Sequence, residues 1–177
     1  MRESGTVKNG SNEDSVLVPE LFIEALLDNG GAFGLSYIPT RQVGSKSRTD
    51  TATNTGDDAA TYKAEADLDN VIQVYADIPT PLSVAGNDIY VKTAIQHATL
   101  KTLESLNSGS TYPDADLMGL TLGLGTRGDI PFAANMYYKA EATYTNFESY
   151  EATSSAGQKI NADLEDIAVK LSIGYKF

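Results

Sequence analysis

Cysteine and tryptophan are both absent from this 177-residue chain, and His97 is its single histidine. Without cysteine there is no disulfide framework and no thiolate metal site. No run of eighteen apolar residues occurs, which excludes a transmembrane helix. Positive charge is also scarce. Lysine and arginine total 13 against 24 acidic residues, a formal net charge of −11. A nucleic-acid partner is not expected on electrostatic grounds, because phosphate binding rests on clustered basic side chains. The opening stretch, Met1 to Asp14, is polar and lacks the apolar core of a secretory signal.

Tyrosine is abundant, at 10 residues, and favours membrane interfaces. The strongest pattern lies at the end of the chain. Ile167, Val169, Leu171, Ile173, Tyr175 and Phe177 alternate with Ala168, Lys170, Ser172, Gly174 and Lys176. A strict period of two predicts a β-strand with one apolar and one polar face. The same period recurs upstream. It predicts strands near 16–28, 31–40, 66–78, 88–100, 117–126, 132–146 and 165–177, seven in all. Glu20 and Glu24 also stand at helical spacing, but Pro19 and the neighbouring strands favour strand at 16–28. The expectation is an all-β antiparallel meander in a single domain spanning 1–177, consistent with a mean hydropathy of −0.24. Such a mild average is what alternating faces produce.

Connection lengths alternate as well. Asp28 to Gly31 is a tight hairpin with a favoured Asn-Gly pair. Thr126 to Pro131 and Pro79 to Asn87 are also short. Arg41 to Ala66, Lys101 to Asp116 and Asn146 to Asp163 are long, polar and loop-like. Short turns on one rim and long loops on the other are what outer-membrane barrels show, so an up-and-down transmembrane β-barrel is expected. With the C-terminal Phe177, this arrangement resembles the small eight-stranded outer-membrane barrels of bacteria, the opacity-protein-like family and the OmpA and OmpX type. The resemblance covers about residues 16 to 177. It implies location in the bacterial outer membrane and a monomer. Its implied partners are membrane lipid, lipopolysaccharide and the barrel-assembly machinery. That machinery would read the C-terminal signal formed by Val169, Leu171, Ile173, Tyr175 and Phe177.

Single-chain bacterial barrels have an even strand number, whereas seven alternating segments are visible. The expectation is that a first strand, with its signal peptide, lies upstream of Met1. The segment 1–15 then takes the position of an extracellular loop. A strand hidden inside 41–66, where Arg41 to Arg48 could extend a neighbour, is the alternative.

The alternation sends Glu20, Glu24, Lys92, Lys139, Glu141, Asp166, Lys170 and Lys176 inward. Buried charges persist only when paired, so these predict a compensating lumen network, with a narrow ion path as the alternative. Outward-facing leucines at 120, 122 and 124 complete the pattern. Gly119, Gly123 and Gly125 have no helix after them and relieve crowding rather than bind phosphate. His97 stands on the apolar face between Gln96 and Ala98, with no evident nucleophile or acid partner. No enzymatic activity, cofactor or metal is expected, and lipid A modification through His97 is disfavoured. Arg127-Gly128-Asp129 reads as a turn rather than an adhesion motif. The leading function is a structural or surface-interaction barrel whose loops present Glu3, Glu13, Asp14, Asp50, Asp57, Asp58, Asp114, Glu148, Glu151 and Asp163. The other readings are a narrow porin-like channel and a soluble lipocalin-like barrel.

Overall fold

The computed structural model describes residues 15–50, 60–84, 87–105, 111–155, 157 and 159–177. The acidic positions Glu3, Glu13, Asp14, Asp57 and Asp58 lie outside them. The described chain is all-β, with no helix. Its strands are β1 (Leu21–Leu26), β2 (Ala32–Ile38), β3 (Arg41–Asp50), β4 (Ala60–Val84), β5 (Asn87–Ser105), β6 (Ala115–Asp129), β7 (Met136–Phe147), β8 (Tyr150–Thr153), β9 (Lys159–Ala162) and β10 (Glu165–Tyr175). The main sheet follows the order β1-β2-β4-β5-β6-β7-β10, and every pairing is antiparallel. Neighbours in this path follow one another in sequence, with only β3 and the small β8–β9 hairpin set aside, so the sheet is a meander. It curls into an open half-barrel. Glu24 on β1 bonds Lys139 on β7, although four strands lie between them in the sheet.

Alternation assigns the faces as expected. Leu120, Leu122, Leu124, Val169, Leu171 and Ile173 are exposed on the convex side, while Lys92, Lys139 and Glu141 are buried on the concave side. Because a one-residue slip would turn a whole strand over, the apolar outer face is a property of the register. The ladders shift register at three places, Gln42/Gly44, Asp69/Ile72 and Pro79/Ser83. Asn70, with φ 51°, sits in a register shift between Asp69 and Ile72, and Leu68 and Asp69 are consecutive buried residues there. Such a bulge bends the strand and increases its twist.

Several boundaries differ from expectation. The stretch 41–66 is not a simple loop, because β3 pairs with Ala60–Leu68 of β4. Its polar sequence hides it from periodicity. It follows β2 along the same edge of β4, interrupted by Pro39, so it lengthens the sheet without adding to its circumference. The connection 146–163 likewise contains the β8–β9 hairpin. The first strand is shorter than 16–28, since Ser15 to Glu20 precede the ladder that begins at Leu21↔Tyr37. β4 runs on through Pro79 to Val84, where Val84 pairs with Asn87. The turn expected at 126–131 falls at 130–135, because Thr126 to Asp129 still pair with β7. There Ile130 N–H donates to Met136 O, and Asn135 takes φ 62°. The hairpin at 28–31 forms as expected, with Gly30 at φ 85° and Asn29 Oδ1 accepting from the Gly31 amide.

The interior is layered. At the long-loop end Ile38, Leu68, Val71, Ala98, Leu100, Leu117, Phe147 and Tyr150 form an apolar cluster. A neutral polar layer follows, in which Gln96 Nε2 donates to Thr121 and Thr145. Ser36 donates to Gln73 in the same layer. The cluster of Glu24, Asp77, Lys92, Arg127, Lys139 and Glu141 lies toward the short turns.

Candidate functional site: the ion network of the concave face

Three cations and three carboxylates converge from five strands. Glu24 comes from β1, Asp77 from β4, Lys92 from β5, Arg127 from β6, and Lys139 and Glu141 from β7. Each reaches the interior because its position has inward parity. Lys139 Nζ lies 2.8 Å from Glu24, 2.9 Å from Asp77 and 3.3 Å from Glu141. Lys92 Nζ lies 2.9 Å from Glu141 and 3.3 Å from Asp77. Arg127 Nη2 joins Asp77 at 2.7 Å and Glu24 at 3.1 Å. The formal charges cancel, which is the condition for keeping six ionised groups out of water.

Tyrosines complete the shell. Tyr75 and Tyr137 donate to Glu24 at 2.6 and 2.9 Å, and Tyr90 donates to Glu141 at 2.7 Å. The Tyr75 ring also faces the Lys92 ammonium, 3.6 Å from its centroid. These rings fit because glycines face them. A methyl built at Gly34 would strike Tyr75, one at Gly125 would strike Tyr90, and one at Gly174 would strike Tyr137. The crowding expected at Gly119, Gly123 and Gly125 is present, since a methyl there would meet Phe147, Thr143 and Tyr90 respectively.

Of the residues singled out from sequence, Glu24, Lys92, Lys139 and Glu141 meet in this cluster. The others form separate pairs. Lys170 bonds Glu20 at 2.8 Å, Asp166 bonds Arg41 at 3.0 Å, and Lys176 pairs with Asp129 at the short-turn rim. Sequence reasoning left out Asp77 and Arg127. Asp77 has inward parity in the alternating segment 66–78, and Arg127 continues the parity of Gly123 and Gly125. Parity alone would have found both. His97 has an acid neighbour after all: Asp116 Oδ1 lies 3.9 Å from its Nε2, supplied by the adjoining strand. Both groups are largely exposed.

Buried charges joined by hydrogen bonds can lock a curl and fill a lumen. A water-filled path would leave lumen side chains accessible, whereas Lys92, Gln73, Thr121 and Thr145 are at most 2% exposed. Among the described residues no group of three or more histidine, cysteine or acidic side chains has metal-binding geometry. No family model matches the chain, and comparisons with curated proteins and with solved structures return no match.

Proposed function

We propose that this chain is an integral outer-membrane β-barrel protein of bacteria, with a structural or surface-interaction role. One observation carries the proposal: the faces are inverted relative to a soluble protein. Ionised side chains occupy the interior, while Leu21, Ile23, Phe33, Leu35, Ile72, Val74, Ile95, Leu120, Leu122, Leu124, Ile167, Val169, Leu171 and Ile173 are exposed. Soluble monomers rarely expose contiguous apolar patches beyond a few hundred Å². Here the belt crosses the main sheet's path, with Ala142 and Tyr144 continuing it across β7. On β10 it runs from Ile167 to Tyr175, about 27 Å along the strand at about 3.4 Å per residue. A tilt of about 40° brings that to about 21 Å of membrane depth, comparable to the band of barrel proteins.

The lipocalin-like alternative requires apolar residues inside, and Leu122 and Leu171 face outward. The channel alternative requires a wet lumen, and the packed middle layer argues against it. Recognition would then belong to the elements beyond the belt. These are β3 with the outer halves of β4 and β5, the β8–β9 hairpin, and acidic side chains such as Asp114, Glu148, Glu151 and Asp163. No enzymatic role is assigned.

The test is membrane extraction. The protein should remain in the membrane fraction through an alkaline carbonate wash and enter solution only with detergent. A monodisperse protein in detergent-free buffer would overturn the proposal. In planar bilayers the purified protein should give no steady conductance, and a reproducible open channel would restore the porin-like alternative.

A further inference from the structure

Four buried side-chain atoms find no hydrogen-bond partner among the described residues: Arg41 Nε, Gln73 Nε2, Gln96 Oε1 and Arg127 Nε. The two glutamine atoms belong together. Gln73 on β4 and Gln96 on β5 are directly opposed in the ladder, so their side chains enter the middle layer side by side. They are 0% and 2% exposed. Buried polar groups nearly always have a partner, in protein or in ordered water. Here one atom is a donor and its neighbour's is an acceptor, yet the two do not bond each other.

The other end of each amide is satisfied. Ser36 Oγ on β2 donates to Gln73 Oε1 at 3.4 Å. Gln96 Nε2 donates to Thr121 at 2.8 Å and to Thr145 at 3.1 Å, and those two hydroxyls bond each other at 2.8 Å. A polar chain therefore runs from β2 to β7 and is interrupted between the two glutamines. Turning either amide over exchanges its oxygen and nitrogen, which moves the orphan atom without removing it. After one such turn two donors or two acceptors are left, and a direct Gln–Gln bond cannot form. Water donates two hydrogen bonds and accepts two, so it suits every combination.

We propose that the middle layer holds one internal water that accepts from Gln73 Nε2 and donates to Gln96 Oε1. Its second proton goes to the hydroxyl of Ser36, the register partner of Gln73, which keeps acceptor lone pairs after donating to Gln73. That makes about three hydrogen bonds, the usual complement of a buried water. The site depends on the curl of the sheet and not on the membrane reading. It is enclosed on both sides. The apolar cluster around Leu68, Val71 and Phe147 lies toward the long-loop end, and the ion network lies toward the short turns. A water held there exchanges slowly with bulk, unlike the file of waters that an ion path requires.

The experiment uses the full 177-residue chain, isotopically labelled, in whichever medium keeps it folded and monodisperse. Water-selective nuclear magnetic resonance is read at the side-chain amides of Gln73 and Gln96, assigned from triple-resonance spectra. Both amides should show water cross-peaks of opposite sign in the laboratory and rotating frames, the mark of a long-lived contact. In Gln96→Met, which removes the acceptor, the Gln73 cross-peak should be lost. Four results would overturn the proposal: no water cross-peak at either amide, signs that mark rapid exchange with bulk, a through-hydrogen-bond coupling directly between the two amides, or a Gln73 cross-peak unchanged in Gln96→Met. The first three are read on the unsubstituted protein and need no variant to fold.

Discussion

Asp77 is the residue on which the ion network turns, because its two carboxylate oxygens meet Lys92, Lys139 and Arg127. Asp77→Asn keeps the shape and removes one negative charge. Three cations then face two carboxylates in a region where the Asp77 side chain is wholly buried. Removing one partner of a buried ion pair costs about 3–5 kcal/mol. With a urea dependence of about 2 kcal/mol per M, the unfolding midpoint should fall by about 1.5–2.5 M. The assay is far-ultraviolet circular dichroism of detergent-solubilised protein across a urea series. A second variant isolates the cause. Asp77→Asn with Lys92→Met leaves two cations, Lys139 and Arg127, against two carboxylates, Glu24 and Glu141. The double variant should lose less than the sum of the single losses, by about 0.5–3 kcal/mol. A loss below about 1 kcal/mol in Asp77→Asn, or strict additivity, would refute a charge-balanced lock.

Gly34→Ala should destabilise by about 1–3 kcal/mol, the usual cost of overpacking, because Tyr75 lies where the methyl would go; an unchanged urea midpoint would contradict the ring placement. Leu122→Arg should cost about 2–4 kcal/mol in lipid, as expected for a charge on the lipid face near the bilayer midplane; if it instead improves solubility without detergent, the outer face is not lipid-facing. Outside the belt, hydrogen bonds from Lys101 and Thr40 hold the Asp69 carboxyl below its ordinary range. A depressed carboxylate pKa means the contact contributes above the unfolded value and is lost as pH falls through the folded one. Nuclear magnetic resonance of the Asp69 carboxyl should therefore show titration below the ordinary aspartate range, moving up toward that range in Lys101→Met.

Period-two alternation made the faces and order of the main strands legible, since register converts one correct parity into a whole strand's orientation. β3, β8 and β9 were less legible, because β3 is largely polar and β8 and β9 are only four residues each. Arg41 to Asp50 is paired because β4 extends outward and offers it an edge, and that information sits in another segment. The ion network was partly legible. Parity placed Glu24, Lys92, Lys139 and Glu141 inside, but which charges meet depends on the curl of the sheet. The curl makes Glu24 a neighbour of Lys139 across the interior, while Glu20 and Lys170 form a pair of their own. His97 shows the same limit, for its acid neighbour Asp116 comes from across the β5–β6 ladder.

The most direct test of the inverted faces is a spin-label scan along β6, made simple by the absence of cysteine. Single cysteines at each position from Leu117 to Gly125 would be labelled after reconstitution into lipid vesicles. Collisions with dissolved oxygen and with a water-soluble nickel chelate are then measured. Labels at 118, 120, 122 and 124 should favour oxygen strongly, while those at 117, 119, 121, 123 and 125 should be shielded from both. Preferential access of the nickel chelate to 120, 122 and 124, or a flat profile, would contradict a lipid-facing leucine belt.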